Sequence, residues 1–167
     1  TPIAGLGAVL VKLKDYENAE KYIKQSLFLL DKSLDAEYTK LGVIFNYQKK
    51  YKEAEKHYLL LSESPVLKSD PAVLNNLANI QAMIDLSIAE VTARRALALE
   101  NTNPYILDTL GWILAKRGNY EEALTFLRTA FSMNSSSGEI RYHLGYVLLK
   151  LDRKMEALEE LEYAVKA

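Results

Sequence analysis

Two stretches, DTLGWILAKRGNYEEALTFLRTAF from Asp108 to Phe131 and HLGYVLLKLDRKMEALEELEYAV from His143 to Val165, superimpose at an offset of 34 residues. Gly111 falls on Gly145, Leu114 on Leu148, Ala123 on Ala157, Leu127 on Leu161 and Ala130 on Ala164. A period of this length ties the fold to stacked supersecondary units, because one such unit cannot bury its apolar face without a neighbour. Projected backwards, the register finds Gly42 with Ala54 and Gly7 with Ala19, each pair twelve residues apart. In the third unit Ala78 takes the glycine place and Ala89 follows by eleven, which implies a one-residue deletion in the turn around Asp85. Five units result, at about 1–34, 35–70, 71–103, 104–137 and 138–167, in a single array.

Within a unit the apolar positions recur at three and four residues, as in Ile106, Leu107, Leu110, Ile113 and Leu114, then Leu124, Leu127 and Phe131. This is helical spacing, and the expected fold is all-α, about ten helices in helix-turn-helix pairs. Arg117-Gly118-Asn119 separates the two helices of the fourth unit, with glycine suited to a left-handed cap; Asp152-Arg153 and Lys49-Lys50 take its place elsewhere. Asp70-Pro71, Asn103-Pro104 and Ser136-Ser137-Gly138 mark unit junctions, since Asp, Asn or Ser caps exposed amides and proline suits the first helical turn. Gly7, Gly42, Ala78, Gly111 and Gly145 are expected where paired helices cross closely, against Ala19, Ala54, Ala89, Ala123 and Ala157, because larger side chains there would overpack.

These motifs resemble those of tetratricopeptide repeat (TPR) proteins over essentially the whole chain. In the fourth unit Leu110, Gly111, Tyr120, Ala123 and Ala130 match the family pattern, and Tyr16 and Tyr51 supply its aromatic earlier; Ser26 and Leu61 depart from a usual alanine. The resemblance implies a right-handed α-α superhelix whose concave groove is lined by the first helix of each unit. Carried over by register, the groove comprises Asn46 and Tyr47, then Asn75, Asn79 and Met83, then Tyr105, Asp108, Trp112 and Lys116, then Tyr142, Tyr146 and Lys150. Thr39, Val43, Ala82, Ala115, Glu139 and Leu149 share those register places. The family's chaperone-tail clamp wants lysine where Thr39 and Asn75 stand, so only Asn79 of that set is matched. More narrowly, the last two units look like the C-terminal repeats of bacterial exported TPR lipoproteins of the exopolysaccharide/PEP-CTERM type. That likeness implies a bacterial cell-envelope, periplasmic location, with the cytoplasm as the alternative.

An aromatic and amide-rich wall suits an extended peptide or a partner helix, since Tyr and Trp give contact area at low entropic cost. The expected function is therefore a non-enzymatic protein-protein interaction scaffold. The alternatives are a glycan or exopolysaccharide module stacking sugars on Tyr105, Trp112, Tyr142 and Tyr146, and a structural piece that self-associates. Trp112 and Tyr146 could equally fill gaps between neighbouring units. Other classes find little footing. A formal net charge of -1 gives no pull towards nucleic acid, and no apolar run approaches the roughly 20 residues of a membrane span. With no cysteine, disulfides and thiolate chemistry are absent. His57 and His143 sit in different units with no shared carboxylate constellation, so neither a catalytic base nor a metal site is expected, and no cofactor is implied. The Lys49, Lys50, Lys52 and Lys56 group is interleaved with Glu53 and Glu55, which reads as a solvated face. A missing solvating helix after the last unit suggests a fragment of a longer array, or homo-oligomers stacking through Leu158, Leu161 and Val165.

Overall fold

The computed structural model describes residues 48–65 and 67–166, together with Glu17, Asn18 and Lys21. Expectations for Gly7, Ala19, Thr39, Gly42, Val43, Asn46 and Tyr47 lie outside these residues. Seven helices are found among them and no strand: α1 Tyr51–Glu63, α2 Pro71–Gln81, α3 Leu86–Leu99, α4 Pro104–Lys116, α5 Tyr120–Met133, α6 Gly138–Lys150 and α7 Lys154–Lys166. The described chain is all-α, as the periodicity requires. It divides into two compact units, 1–84 and 85–167.

In the first unit, α1 buries Ala54, Tyr58 and Leu61, spaced four and three apart on one face, and α2 buries Val73, Leu74, Leu77 and Ala78. Burial pushes the Tyr58 hydroxyl up to about 12, because the phenolate form loses its hydration there. Asp70 accepts from the Ala72 amide at 2.8 Å and Pro71 opens α2, which ends in a tightened turn over Ala82–Ile84.

In the second unit, consecutive helices from α3 to α7 pack on one another, and α4 also packs beside α6. The interior is aliphatic. Leu110, Leu114, Leu127 and Ala130 are fully buried, and Leu107, Ala130 and Ile140 form a cluster with Leu97, Phe126 and Phe131 against it. Gly111 and Gly145 have the expected role. A Cβ at Gly111 would lie 2.7 Å from Leu127 Cγ and 3.4 Å from the Ala123 carbonyl oxygen, and one at Gly145 would lie 2.7 Å from Leu161 Cγ and 3.3 Å from that of Ala157. The crossing thus brings the alanine's backbone near, while the glycine's empty space is filled by the leucine one turn further on.

The turns follow their local chemistry. After α4, Gly118 takes φ 85, with Gly118 N–H on the Ala115 carbonyl and Asn119 N–H on that of Leu114. Asp152 repeats this after α6 with φ 60, and Lys49 stands before α1 with φ 58. From first residue to first residue, α2 to α3 is one shorter than α4 to α5 or α6 to α7, matching the inferred deletion. There Asp85 caps with its side chain, accepting from the Ser87 and Ile88 amides, whereas Asn119, which follows a left-handed residue, makes no side-chain cap. A left-handed Cβ costs about 1 kcal/mol or more, part of which glycine returns to unfolded-chain entropy. Asp152→Gly is therefore expected to raise stability by about 0.5 kcal/mol, seen as a higher midpoint in urea.

Ion pairs on the second helices were not read from the repeat, although they obey it. Arg94 reaches Glu122 at 2.8 Å and, 34 residues on, Arg128 reaches Glu156 at 3.3 Å. Both pairs are exposed, so each is worth at most about 1 kcal/mol. Glu90 is more sheltered: burial alone would raise its pKa, but hydrogen bonds from Arg94 and Arg117 outweigh that and hold the carboxyl below its ordinary value. On the outer face of α7, Leu158 and Val165 are exposed beside an open hollow of about 360 Å³ that Leu161, Glu162 and Lys166 also line.

Candidate binding surface on helices α4 and α6

On α4, Tyr105, Asp108, Trp112 and Lys116 follow one another at intervals of three and four, and on α6 so do Glu139, Tyr142, Tyr146 and Lys150. Helical geometry places each series on one face. Because α4 packs beside α6, the two series meet. The Trp112 indole stacks on the His143 imidazole with ring centroids 4.2 Å apart and planes 15° apart. It meets Tyr146 edge-on at 5.1 Å and Tyr142 tilted at 5.9 Å. Trp112 and Tyr146 are half-buried and Tyr142 is 48% exposed, so the cluster both seals the α4–α6 seam and shows an aromatic ledge to solvent.

Two lysines border that ledge in repeat-equivalent positions. Lys116 Nζ lies 5.4 Å from the Trp112 ring and Lys150 Nζ 5.4 Å from that of Tyr146, each one helical turn after its aromatic. Both are exposed, and neither has a carboxylate within ion-pair distance among the described residues. Tyr105, 60% exposed, stands at the start of α4 and makes no ring contact with this cluster.

Some placements correct the register reading. Asp108 is not an open groove residue: it is 6% exposed and its Oδ1 lies 2.8 Å from His143 Nδ1. The same pair gives His143 a carboxylate partner of its own, although His57 and His143 lie in different units. Asp108 faces the neighbouring helix rather than solvent, and His143, one residue past the groove place of Tyr142, comes opposite it. Ala115 is also buried, at 1%, because its face turns into the core. Asn75, Asn79 and Met83 lie on or just after α2 in the first unit, Asn75 half-buried and the other two exposed. His143 is the residue that the sequence reading missed. The available signal was its separation of 35 from Asp108, one more than the repeat, which sets the two across adjacent first helices.

Glu139 stands one turn before His143, and one ligand-capable atom from each of Asp108, Glu139 and His143 lies within 4.8 Å of the others. These are the side chains that could hold a cation. No helix among the described residues is long and apolar enough to cross a membrane.

Residues 82–164 match the family described as anaphase-promoting complex, cyclosome, subunit 3, and residues 4–27 match the family described as tetratricopeptide repeat. No curated protein matches the chain. Among solved structures, TTC0263, described as a thermophilic TPR protein in Thermus thermophilus, superimposes with a TM-score of 0.81 at 17% identity, covering 99% of this chain and 89% of that one. MamA gives 0.75 at 18% identity over 96% of this chain and 92% of its own. YrrB, described as a TPR protein with an unusual peptide-binding site, gives 0.68 at 20% identity over 99% and 84%. At these identities the likeness is one of fold.

Proposed function

Because the chain belongs to the tetratricopeptide repeat family, we propose that it is a non-catalytic scaffold that holds an extended peptide or a helix of a partner protein on the aromatic ledge of α4 and α6. The observation that carries this reading is the repeated pairing of an aromatic with a lysine one turn on, Trp112 with Lys116 and Tyr146 with Lys150, beside exposed Tyr142. Aromatic rings give a flat apolar surface at little entropic cost, and the exposed cations at its border favour a segment carrying carboxylates. The peptide-binding site in YrrB's description supports the same use of this fold, without fixing the residues.

Trp112 is the sole tryptophan and reports on the ledge directly. Titration with acidic, extended peptides is expected to shield its emission from acrylamide, with binding, followed by calorimetry, weakened about tenfold or more in Trp112→Ala, in line with the cost of truncating an interface anchor. Oligosaccharides form the other arm. Protection by sugars and not by peptides would replace the peptide reading with the glycan one, and an indole indifferent to both would leave Trp112 as packing alone.

A further inference from the structure

We infer that Asp108, Glu139 and His143 form a binding site for one divalent first-row transition-metal ion of the Zn²⁺ type, joining α4 to α6. The donor set comes from rigid elements: Asp108 from the middle of α4, Glu139 and His143 one turn apart on α6. Residues four apart on a helix share a face, so both α6 side chains can reach one ion while Asp108 approaches from the adjacent helix. The imidazole is held in place by Trp112 stacked on its face, which leaves Nδ1 on the ring edge directed at the Asp108 carboxylate.

The spacing suits coordination. His143 Nδ1 and Asp108 Oδ1 lie 2.8 Å apart. Two donors bound about 2.1 Å from one tetrahedral zinc are roughly 3.4 Å apart, so an opening of about 0.6 Å admits the ion. Without an ion, the Nδ1–H tautomer donates a hydrogen bond to the Asp108 carboxylate, which accepts it. An ion taking the Nδ1 lone pair displaces that proton to Nε2. The two carboxylates then balance the charge of a dication, and water fills the fourth position, as in open three-ligand sites. Imidazole among the donors favours zinc, cobalt or nickel over magnesium or calcium.

Among the described residues no fixed cation occupies the same ground. Lys116 and Lys150 lie about two turns further along their helices, some 10 to 12 Å away along the axes. The Arg141 guanidinium is engaged by Glu160, by the Ser135 carbonyl and by the Tyr163 ring. Glu139 is exposed, so an ion has a path in and this ligand can be changed without disturbing the core.

The test is a titration of the intact chain with Co²⁺, followed by calorimetry and by Trp112 emission, with Zn²⁺ as competitor. Expected are one ion per chain, quenching of Trp112 by Co²⁺ that Zn²⁺ reverses, and a higher melting temperature with Zn²⁺. Glu139→Gln should weaken binding about tenfold or more with the helical circular dichroism unchanged. His143→Gln should abolish it, and His57→Gln should leave it intact. Unchanged affinity in Glu139→Gln, no quenching of Trp112, or loss of binding in His57→Gln would each overturn the site and leave Asp108–His143 a hydrogen bond of packing alone. The proposal does not rest on peptide binding, and the peptide titration is read in the presence of a chelator.

Discussion

Gly111→Val is expected to lower the unfolding free energy by about 3 kcal/mol, the upper end of what overpacking a well-filled core costs. A Cβ at Gly111 would stand 2.7 Å from Leu127 Cγ and 2.9 Å from its Cδ2. Leu127 is fully buried between helices and has no direction in which to yield, so α4 and α5 must separate. Gly145 has nearly the same distances to Leu161. Leu161, however, is only half-buried beside the exposed outer face of α7 and can turn outwards, so Gly145→Val should cost distinctly less, about 1 kcal/mol. Alanine at Gly111 should cost less than valine, because better helix propensity returns about 1 kcal/mol. Urea denaturation of the four variants, the two alanines and the two valines, checks the order. Equal losses at Gly111 and Gly145 would show that the crossing itself, rather than the freedom of the facing leucine, sets the penalty.

Asp108→Ala is expected to cost about 2 to 3 kcal/mol, because it leaves the polar edge of a buried imidazole without a partner. Asp108 and His143 are 6% and 7% exposed, so solvent replaces the lost acceptor poorly. The cost should be recovered in large part by Asp108→Leu combined with His143→Phe, which removes both polar groups while keeping a ring for Trp112 to stack on. Trp112 emission should shift in Asp108→Ala, as its stacking partner loosens, and return in the double variant. A double variant no more stable than Asp108→Ala would show that the pair is held for something other than mutual satisfaction.

Much of this molecule is written at a range of four residues or of one period. The left-handed turns at Gly118 and Asp152, the caps at Asp70, Asn103 and Ser137 and the deletion before Asp85 are local matters of backbone sterics and amide satisfaction. The glycine crossings are one-period matters, since the pair α4 and α5 recurs as α6 and α7. What escaped was lateral. Arg94–Glu122 and Arg128–Glu156 join second helices across 28 residues, and Asp108–His143 joins first helices across 35. A register that assigns faces helix by helix holds no information on how far neighbouring helices slide past one another.

The sequence by itself determined that the chain is a helical repeat, where its helices begin and end, and which positions must stay small, because capping, φ preferences and apolar periodicity act on neighbours along the chain. Only the tertiary structure decided that Asp108 turns away from solvent to meet His143, that Ala115 faces the core, and that Trp112 is at once a seam between helices and a surface beside Lys116. Those outcomes depend on the approach and stagger of α4 and α6, which the packing of α5 between them in sequence sets, and which no single helix encodes.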